Sequence, residues 1–565
     1  MKVVPLKQSQ WKARSKFNKA FVMTQYWRYV HREYAAMKIL RYFLNYFTLT
    51  VIAFSGCASA EPNYKTPQEI CDSMGEKAKN GKALQSINDI SGLNETILSC
   101  IIAPKSSKEI SKIIHIVNEW NKTNKRIHIS VAGARHSQGG HIASSLGIVL
   151  DLKKYLNKVE KPKTKNGLWT VKTDSGALWS DVHRAISQFE GHSLANKVQQ
   201  SSTPFTIGGT LSVNAHGRSF SYGSIINSVE RFTIVLPDGT ITNASRTENT
   251  SIFKQAIGGY GLFGIIVDVT LELHENDYLK PISVKFNSPE EYIALLTGTL
   301  KNTPRHTLKR DKSGSLVAEN LSPIAFLFAT LSLDSGGFMT KGTAYSYQQT
   351  SSVDRTGAVN PDPQPSLLNL RALVTKIGFS LKRKGFLVTT AQKAQYKFLM
   401  TQNTRLKVLT PPIQPILAAA SKNQPDLLQE YFIPINRTPE FLSHVKKVFS
   451  NNNVILSNVS LRFIPKSRDS SVLTYESATE DQLAIVLYFS LKLNKNNIAE
   501  AKIWTQELVE KSIALKGRYY LPYQEWPRKE QFMKAYPSFK TFKERKMAAD
   551  PNEVFSNKFY QYYLN

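Results

Sequence analysis

At 565 residues the chain is long for a single core and suits two or three domains. Its hydrophobic fraction of 41% and aromatic fraction of 10% exclude a disordered chain. A formal net charge of +30 favours acidic partners: anionic lipid, envelope polymer or nucleic acid. Nucleic acid is the weakest of these, because the chain shows no zinc-finger spacing, RNA-binding aromatic motif or basic DNA-reading helix.

In chain order, residues 1–56 come first, with ten Lys/Arg against a single Glu. From Met37 the sequence reads MKILRYFLNYFTLTVIAFSGCASAEP. Lys38 and Arg41 precede an apolar run, and A-S-A precedes Glu61, which is secretory signal-peptide grammar. FSGC, ending at Cys57, resembles a bacterial lipoprotein processing site. The expectation is export to the periplasm or cell envelope, with lipid anchoring at Cys57 as one form. With Cys57 in the leader, Cys71 and Cys100 remain. An oxidising compartment suits one disulfide between them, two free buried thiols being the alternative. No Cys/His spacing suggests a metal site.

Residues 98–133 read as strand, turn, amphipathic helix and strand, with Ile110, Ile113, Ile114, Val117 and Trp120 at helical spacing. A short strand is expected at 147–152. A strand leading through a Gly turn into a helix follows at 168–186, then a hairpin around Pro237-Asp238-Gly239, and a long strand over 261–273. Such alternation is that of α/β or α+β proteins. The stretch 300–425 is rich in Lys, Ser and Thr and reads as a loop-rich basic insertion, either a solvated surface or a membrane-surface contact. Strands are expected at 428–436 and 483–492, and a helix near 497–512.

Three Gly-rich segments lie in the first half: VAGARHSQGGH (131–141), SSTPFTIGGTLSVNAHG (201–217) and IGGYGLFGII (257–266). Glycines allow close backbone approach, and consecutive N–H groups form anion-binding concavities. Neither G-x-G-x-x-G nor the P-loop spacing is present. In order and spacing the three segments resemble the vanillyl-alcohol oxidase superfamily, whose members share a p-cresol methylhydroxylase-type FAD-binding domain. GRYYLPY (517–523) and the segment from Phe532 to Asn557 resemble the C-termini of aldonolactone and sugar-alcohol oxidases.

The resemblance implies an α+β fold: a two-subdomain FAD-binding domain over 94–277, and a substrate or cap domain on an antiparallel sheet over 278–510. Residues 1–60 are the leader, 61–93 an N-terminal segment, and 511–565 a C-terminal segment returning to the FAD domain. It implies FAD as cofactor, held by Ala134, Arg135, His136, Ser137, Gln138, Gly139 and Gly140, with Ser137–Gly140 supplying donors to phosphate. Thr206, Gly208, Gly209, Val213, Asn214 and His216 are expected at the flavin, Gly264 and Ile266 near adenine, and Tyr523 close by. His136 stands where relatives carry a flavin-linking imidazole, with Arg135 in place of the usual Gly. A second, cysteinyl link is excluded, since no Cys follows Cys100.

Catalysis requires a proton acceptor and positive charge near the flavin carbonyl edge. Arg462, His216, Lys466 and Tyr520 are the candidates. Arg462 matches the arginine of an E-x-R motif, but Ser460 stands where the Glu belongs. Tyr431 is expected to line the substrate sheet. The reading is oxidation of a CH–OH group of a sugar, aldonolactone or polyol, with dioxygen, a quinone or a cytochrome as acceptor. A lipid-linked sugar oxidase resembling the decaprenylphosphoryl-ribose type, and a non-catalytic flavin-fold envelope binder, are the alternatives.

Overall fold

The computed structural model describes residues 66–73, 85–187, 189, 193–201, 203–297, 308–310, 316–318, 324–350, 399–401, 403–410, 423–467 and 470–565. All of them belong to one compact unit, residues 66–565. The leader, its Cys57, and most of the basic insertion lie outside the described residues. Among the described residues no helix is long and apolar enough to cross a membrane.

The chain opens with a small hairpin of β1 (Gln85–Ile87) and β2 (Thr96–Leu98). Next comes a parallel three-stranded sheet, with β3 (Cys100–Ile102), β4 (Ile129–Ala132) and β5 (Ile148–Asp151) in the order β3-β5-β4. The helix Ser107–Thr123 makes the crossover. Ser106 caps it by accepting the Glu109 amide, and its buried stripe is Ile110, Ile113, Ile114, Val117 and Trp120, as the spacing requires. A disulfide joins Cys71, on the helix Pro67–Ser73, to Cys100 on β3.

A second sheet is built from β6 (Lys163–Lys165), β7 (Leu168–Asp174), β8 (Leu194–Asn196), β9 (Val229–Val235), β10 (Ile241–Ser245) and β11 (Ile265–Glu275). Its order is β10-β9-β11-β7-β6, with β8 on β11. The expected hairpin turns at Gly239, whose φ of 86° only glycine adopts freely.

The cap is a seven-stranded antiparallel sheet. Its strands are β12 (Leu279–Phe286), β15 (Ile324–Leu331), β16 (Gly342–Gln349), β17 (Asp426–Pro434), β18 (Ile455–Ile464), β19 (Gln482–Ser490) and β20 (Arg518–Tyr519). They run in the order β12-β16-β15-β18-β19-β17-β20, while β13 (Leu308–Arg310) and β14 (Leu316–Ala318) form a separate hairpin. Side chains alternate between the two faces. Tyr431, Ile433, Leu461, Phe463, Ile485 and Leu487 join one large core with residues of the helices Thr438–Asn451 and Lys495–Ala514. At roughly 1.5–3 kcal/mol per fully buried large apolar side chain, that face holds the sheet to its helices. The opposite face carries Phe328, Arg462, Ala484 and Phe432 in one row of strand partners, and Thr330, Ser460, Val486 and Glu430 in the next.

After β20 the chain leaves the cap and backs the first sheet. Phe555 bridges Ile129 of β4 in parallel, the Ser130 hydroxyl donates to the Ser556 carbonyl, and the Lys558 amide donates to the Ala143 carbonyl. The segment expected to return to the FAD domain therefore first adds an edge strand to the cap.

Candidate functional site

A cavity of about 200 Å³ opens where the three Gly-rich segments meet the cap. Residues 131–137, Thr206, Gly208, Gly209, Val213 and His216 line it, together with Gly264 and Ile266. Glu430, Arg462, Tyr520 and Tyr523 complete it from the cap and the returning segment.

The loop after β4 turns on Arg135, whose φ of 60° is left-handed. That conformation explains why glycine suits the position. Here Arg135 accepts roughly 1 kcal/mol of strain, and its guanidinium pairs with Asp151 at 2.9 Å. The backbone amides of Ala134, Arg135, His136 and Ser137 find no acceptor among the described residues. Four consecutive free N–H groups around one cavity fit a phosphate-bearing group. A Cβ on Gly133 would sit 2.2 Å from the Thr206 hydroxyl, and one on Gly208 would sit 2.7 Å from Ser175 Cβ, so only glycine keeps the two loops this close.

Three expected phosphate contacts fall elsewhere. The Gln138 amide already donates to the Pro522 carbonyl, and its side chain accepts the Leu428 amide. The Gly140 amide donates to Asp89 at 2.9 Å. A Cβ on Gly139 would lie 2.3 Å from the Tyr523 carbonyl oxygen. Residues 138–140 thus dock the loop onto the C-terminal segment, and none of the three lines the cavity. Asn214 is also outside it. It holds φ at 44°, its side chain accepts the Ile226 amide, and its carbonyl accepts the Tyr475 hydroxyl.

His136 lines the cavity with its ring 4.6 Å from Phe205. Burial, aided by the Lys153 charge, pushes its imidazole down to about 4, so it is neutral at neutral pH.

On the cap side His216 is buried, with Nε2 2.7 Å from Glu430 Oε1. Phe432, Tyr475 and Tyr520 surround the ring at 5.4–5.7 Å, and Nδ1 has no hydrogen-bond partner. Burial alone would raise Glu430, but His216, Arg462 and the Tyr523 hydroxyl outweigh it and hold the carboxyl below its usual range. Glu430 also accepts the Tyr523 hydroxyl at 3.2 Å. Tyr520 donates to the Val213 carbonyl at 3.0 Å, so its hydroxyl is engaged, and burial pushes it well above the usual phenol range.

Glu430 is the residue that sequence reasoning passed over. Ser460 and Glu430 are both strand partners of Val486, so the acid missing at 460 stands in the same row, two strands away. Its neighbour Tyr431, expected at the site, points to the other face, where it packs on Phe441 and donates to Gln429. The available signal was period two: in QEYF, Gln429 and Tyr431 share one face and Glu430 and Phe432 the other. Lys466 does not join the site either. It is exposed past the end of β18, with only its amide engaged, by Asp481.

Residues 98–245 match the model of the FAD binding domain family. The match gives FAD as the cofactor of this domain, which is similar to the FAD-binding domains of the vanillyl-alcohol oxidase superfamily. It is 27% identical over 210 residues to cytokinin dehydrogenase 5 of Arabidopsis thaliana, covering 36% of this chain and 38% of that one. It is 30% identical over 174 residues to the FAD-dependent monooxygenase yanF of Aspergillus niger, covering 31% and 28%. To the L-gulonolactone oxidase of Bos taurus it is 28% identical over 169 residues, covering 30% and 36%. The matched part thus spans about a third of the length of these relatives. No group of three or more His, Cys, Asp or Glu residues suited to a metal occurs among the described residues.

Proposed function

We propose that this flavoprotein is an oxidoreductase that removes hydride from a CH–OH group of a sugar, aldonolactone or polyol. The observation that carries the reading is the meeting of the cofactor loops with Glu430, His216 and Arg462 in one cavity. Bound FAD supplies the hydride acceptor. The Glu430 carboxylate lies 2.7 Å from His216 Nε2, which leaves Nδ1, without a hydrogen-bond partner, as the atom that takes the hydroxyl proton. Arg462 places a fixed positive charge where negative charge develops. The Ala134–Ser137 amides hold the diphosphate. The neutral His136 imidazole is the form able to bond carbon, and we assign it the flavin link. The likeness to L-gulonolactone oxidase supports the CH–OH class. The Cys71–Cys100 disulfide and the signal-like leader support export to the envelope.

The test is anaerobic bleaching of the yellow holoprotein across sugars, aldonolactones, polyols, polyprenyl-linked sugars and cytokinin-type amines. Bleaching by the amines alone would overturn the CH–OH class. Bleaching by none would favour a binding protein. Denatured protein is expected to keep an FAD-sized adduct on the His136 peptide, and complete flavin release in acid would remove the covalent assignment.

A further inference from the structure

The cap face beside the cavity carries a second guanidinium. The segment after His216 extends the sheet at β15: Ser219 bridges Phe326, the Phe220 amide donates to the Ala325 carbonyl, and the Leu327 amide donates to the Arg218 carbonyl at 3.2 Å. That pairing lays the Arg218 guanidinium over the Phe328 ring, 4.4 Å from its centroid. Phe328 is the direct strand partner of Arg462. The Arg218 and Arg462 charges lie close enough to repel one another, and Tyr345, the partner of Phe328 on β16, stacks on its ring at 5.1 Å.

Neither guanidinium has an ion-pair partner among the described residues, and Arg462 Nε is buried with no hydrogen bond. The one acid lining the cavity, Glu430, is engaged by His216 and Tyr523. Burial, and then the repulsion of Arg462, holds Arg218 down to about 10, still protonated at any working pH. Glu430 feels the Arg462 charge but forms no ion pair with either guanidinium, and two cations gathered around one acid already engaged elsewhere are costly unless a further anion joins them. Two planar forks suit an oxyanion in particular.

We propose that Arg218 and Arg462 together bind an oxyanion of the substrate, a carboxylate or a phosphate ester. This rests on the oxidoreductase reading and narrows it: the substrate is a sugar acid or a sugar phosphate, and its anionic end docks on the Phe328 row while its carbinol carbon reaches the flavin. Arg218 is then a specificity-determining residue.

Oxidised holoprotein is titrated with acetate and with inorganic phosphate at fixed ionic strength, reading the flavin absorbance. The expected result is a saturable perturbation by one of the two, naming carboxylate or phosphate. It should weaken about tenfold or more in Arg218→Gln and recover in part in Arg218→Lys. In turnover, the preference in kcat/KM for an anionic substrate over its neutral counterpart should fall by a similar factor in Arg218→Gln, chiefly through KM. No perturbation by either anion, or one that Arg218→Gln leaves unchanged, overturns the proposal. So does a variant in which only the flavin midpoint potential moves, which would assign the pair to the cofactor's own charge. Saturable, Arg218-dependent anion binding in a protein that no sugar bleaches would sustain the anion site and overturn the CH–OH reading.

Discussion

The two walls of the cavity are made in different ways. The cofactor wall is backbone: free amides at 134–137 and glycines at 133, 208 and 209, where a Cβ would strike Thr206 or Ser175. The cap wall is side chain: Glu430 and Arg462, brought together by strand register across β18, β19 and β17, with Tyr520 and Tyr523 beside them. Backbone chemistry leaves local marks in a sequence, because only glycine tolerates such approach. Register chemistry leaves almost none, since its members lie tens or hundreds of residues apart.

That contrast is sharpest in its largest expected effect. Glu430→Gln should lower kcat on the order of 10²–10³-fold with FAD still bound in full, since it removes the charge that orients His216. Arg462→Ala should cost on the order of 10²-fold with the same retention of FAD. Steady-state kinetics with flavin stoichiometry reads both, and loss of FAD in either variant would mean the cap wall serves binding as well.

A smaller effect tests the cofactor wall from behind. Gly139→Ala and Gly139→Asp should each destabilise by roughly 1–3 kcal/mol, because any Cβ meets the Tyr523 carbonyl. Thermal unfolding and FAD affinity measured in parallel decide the point. An Asp variant far poorer in FAD affinity than the Ala variant would return the diphosphate to Gly139.

The same docked segment carries a pH signature. Burial, opposed by Lys558 and reinforced by Asp89, raises Glu525 from 4.5 to about 8. Between those values the folded chain holds a proton that the unfolded chain has released, so stability falls as pH rises through that window. Denaturant unfolding from pH 5 to 8.5 should show the decline, and Glu525→Gln should flatten it. An equal slope in both proteins would place the cause elsewhere.

The smallest effect is expected at Arg135. Arg135→Gly relieves roughly 1 kcal/mol of left-handed strain and loses a part-exposed ion pair of about 0–1 kcal/mol. Stability should move by less than about 1 kcal/mol, and FAD should stay bound. A large loss of FAD would show that the guanidinium itself touches the cofactor wall.

These residues also show how far the sequence could be read. The crossover helix was visible because five apolar residues fell on one helical stripe, and the glycine loops because their spacing has few other uses. Gln138–Gly140 looked like more of the same loop, yet its donors go to Pro522 and Asp89, partners that no local pattern names. Tyr431 and Glu430 differ by one position, and one position in a strand is the difference between core and cavity. Ser460 looked like a lost acid only while its row partner was unknown.

The bridge from Phe555 to Ile129 also sets an order of events in synthesis. Ser130 and Ser556, bonded in the folded protein, are 426 positions apart. A nascent chain that has emerged through the whole cap carries every residue of the cofactor loop but not the stretch that backs it. The loop becomes a finished receptor only once the stretch around Phe555–Lys558 has emerged, so cofactor capture follows the synthesis of that stretch. Until then quality control meets a protein with its sheets in place and its nucleotide site still open at the back.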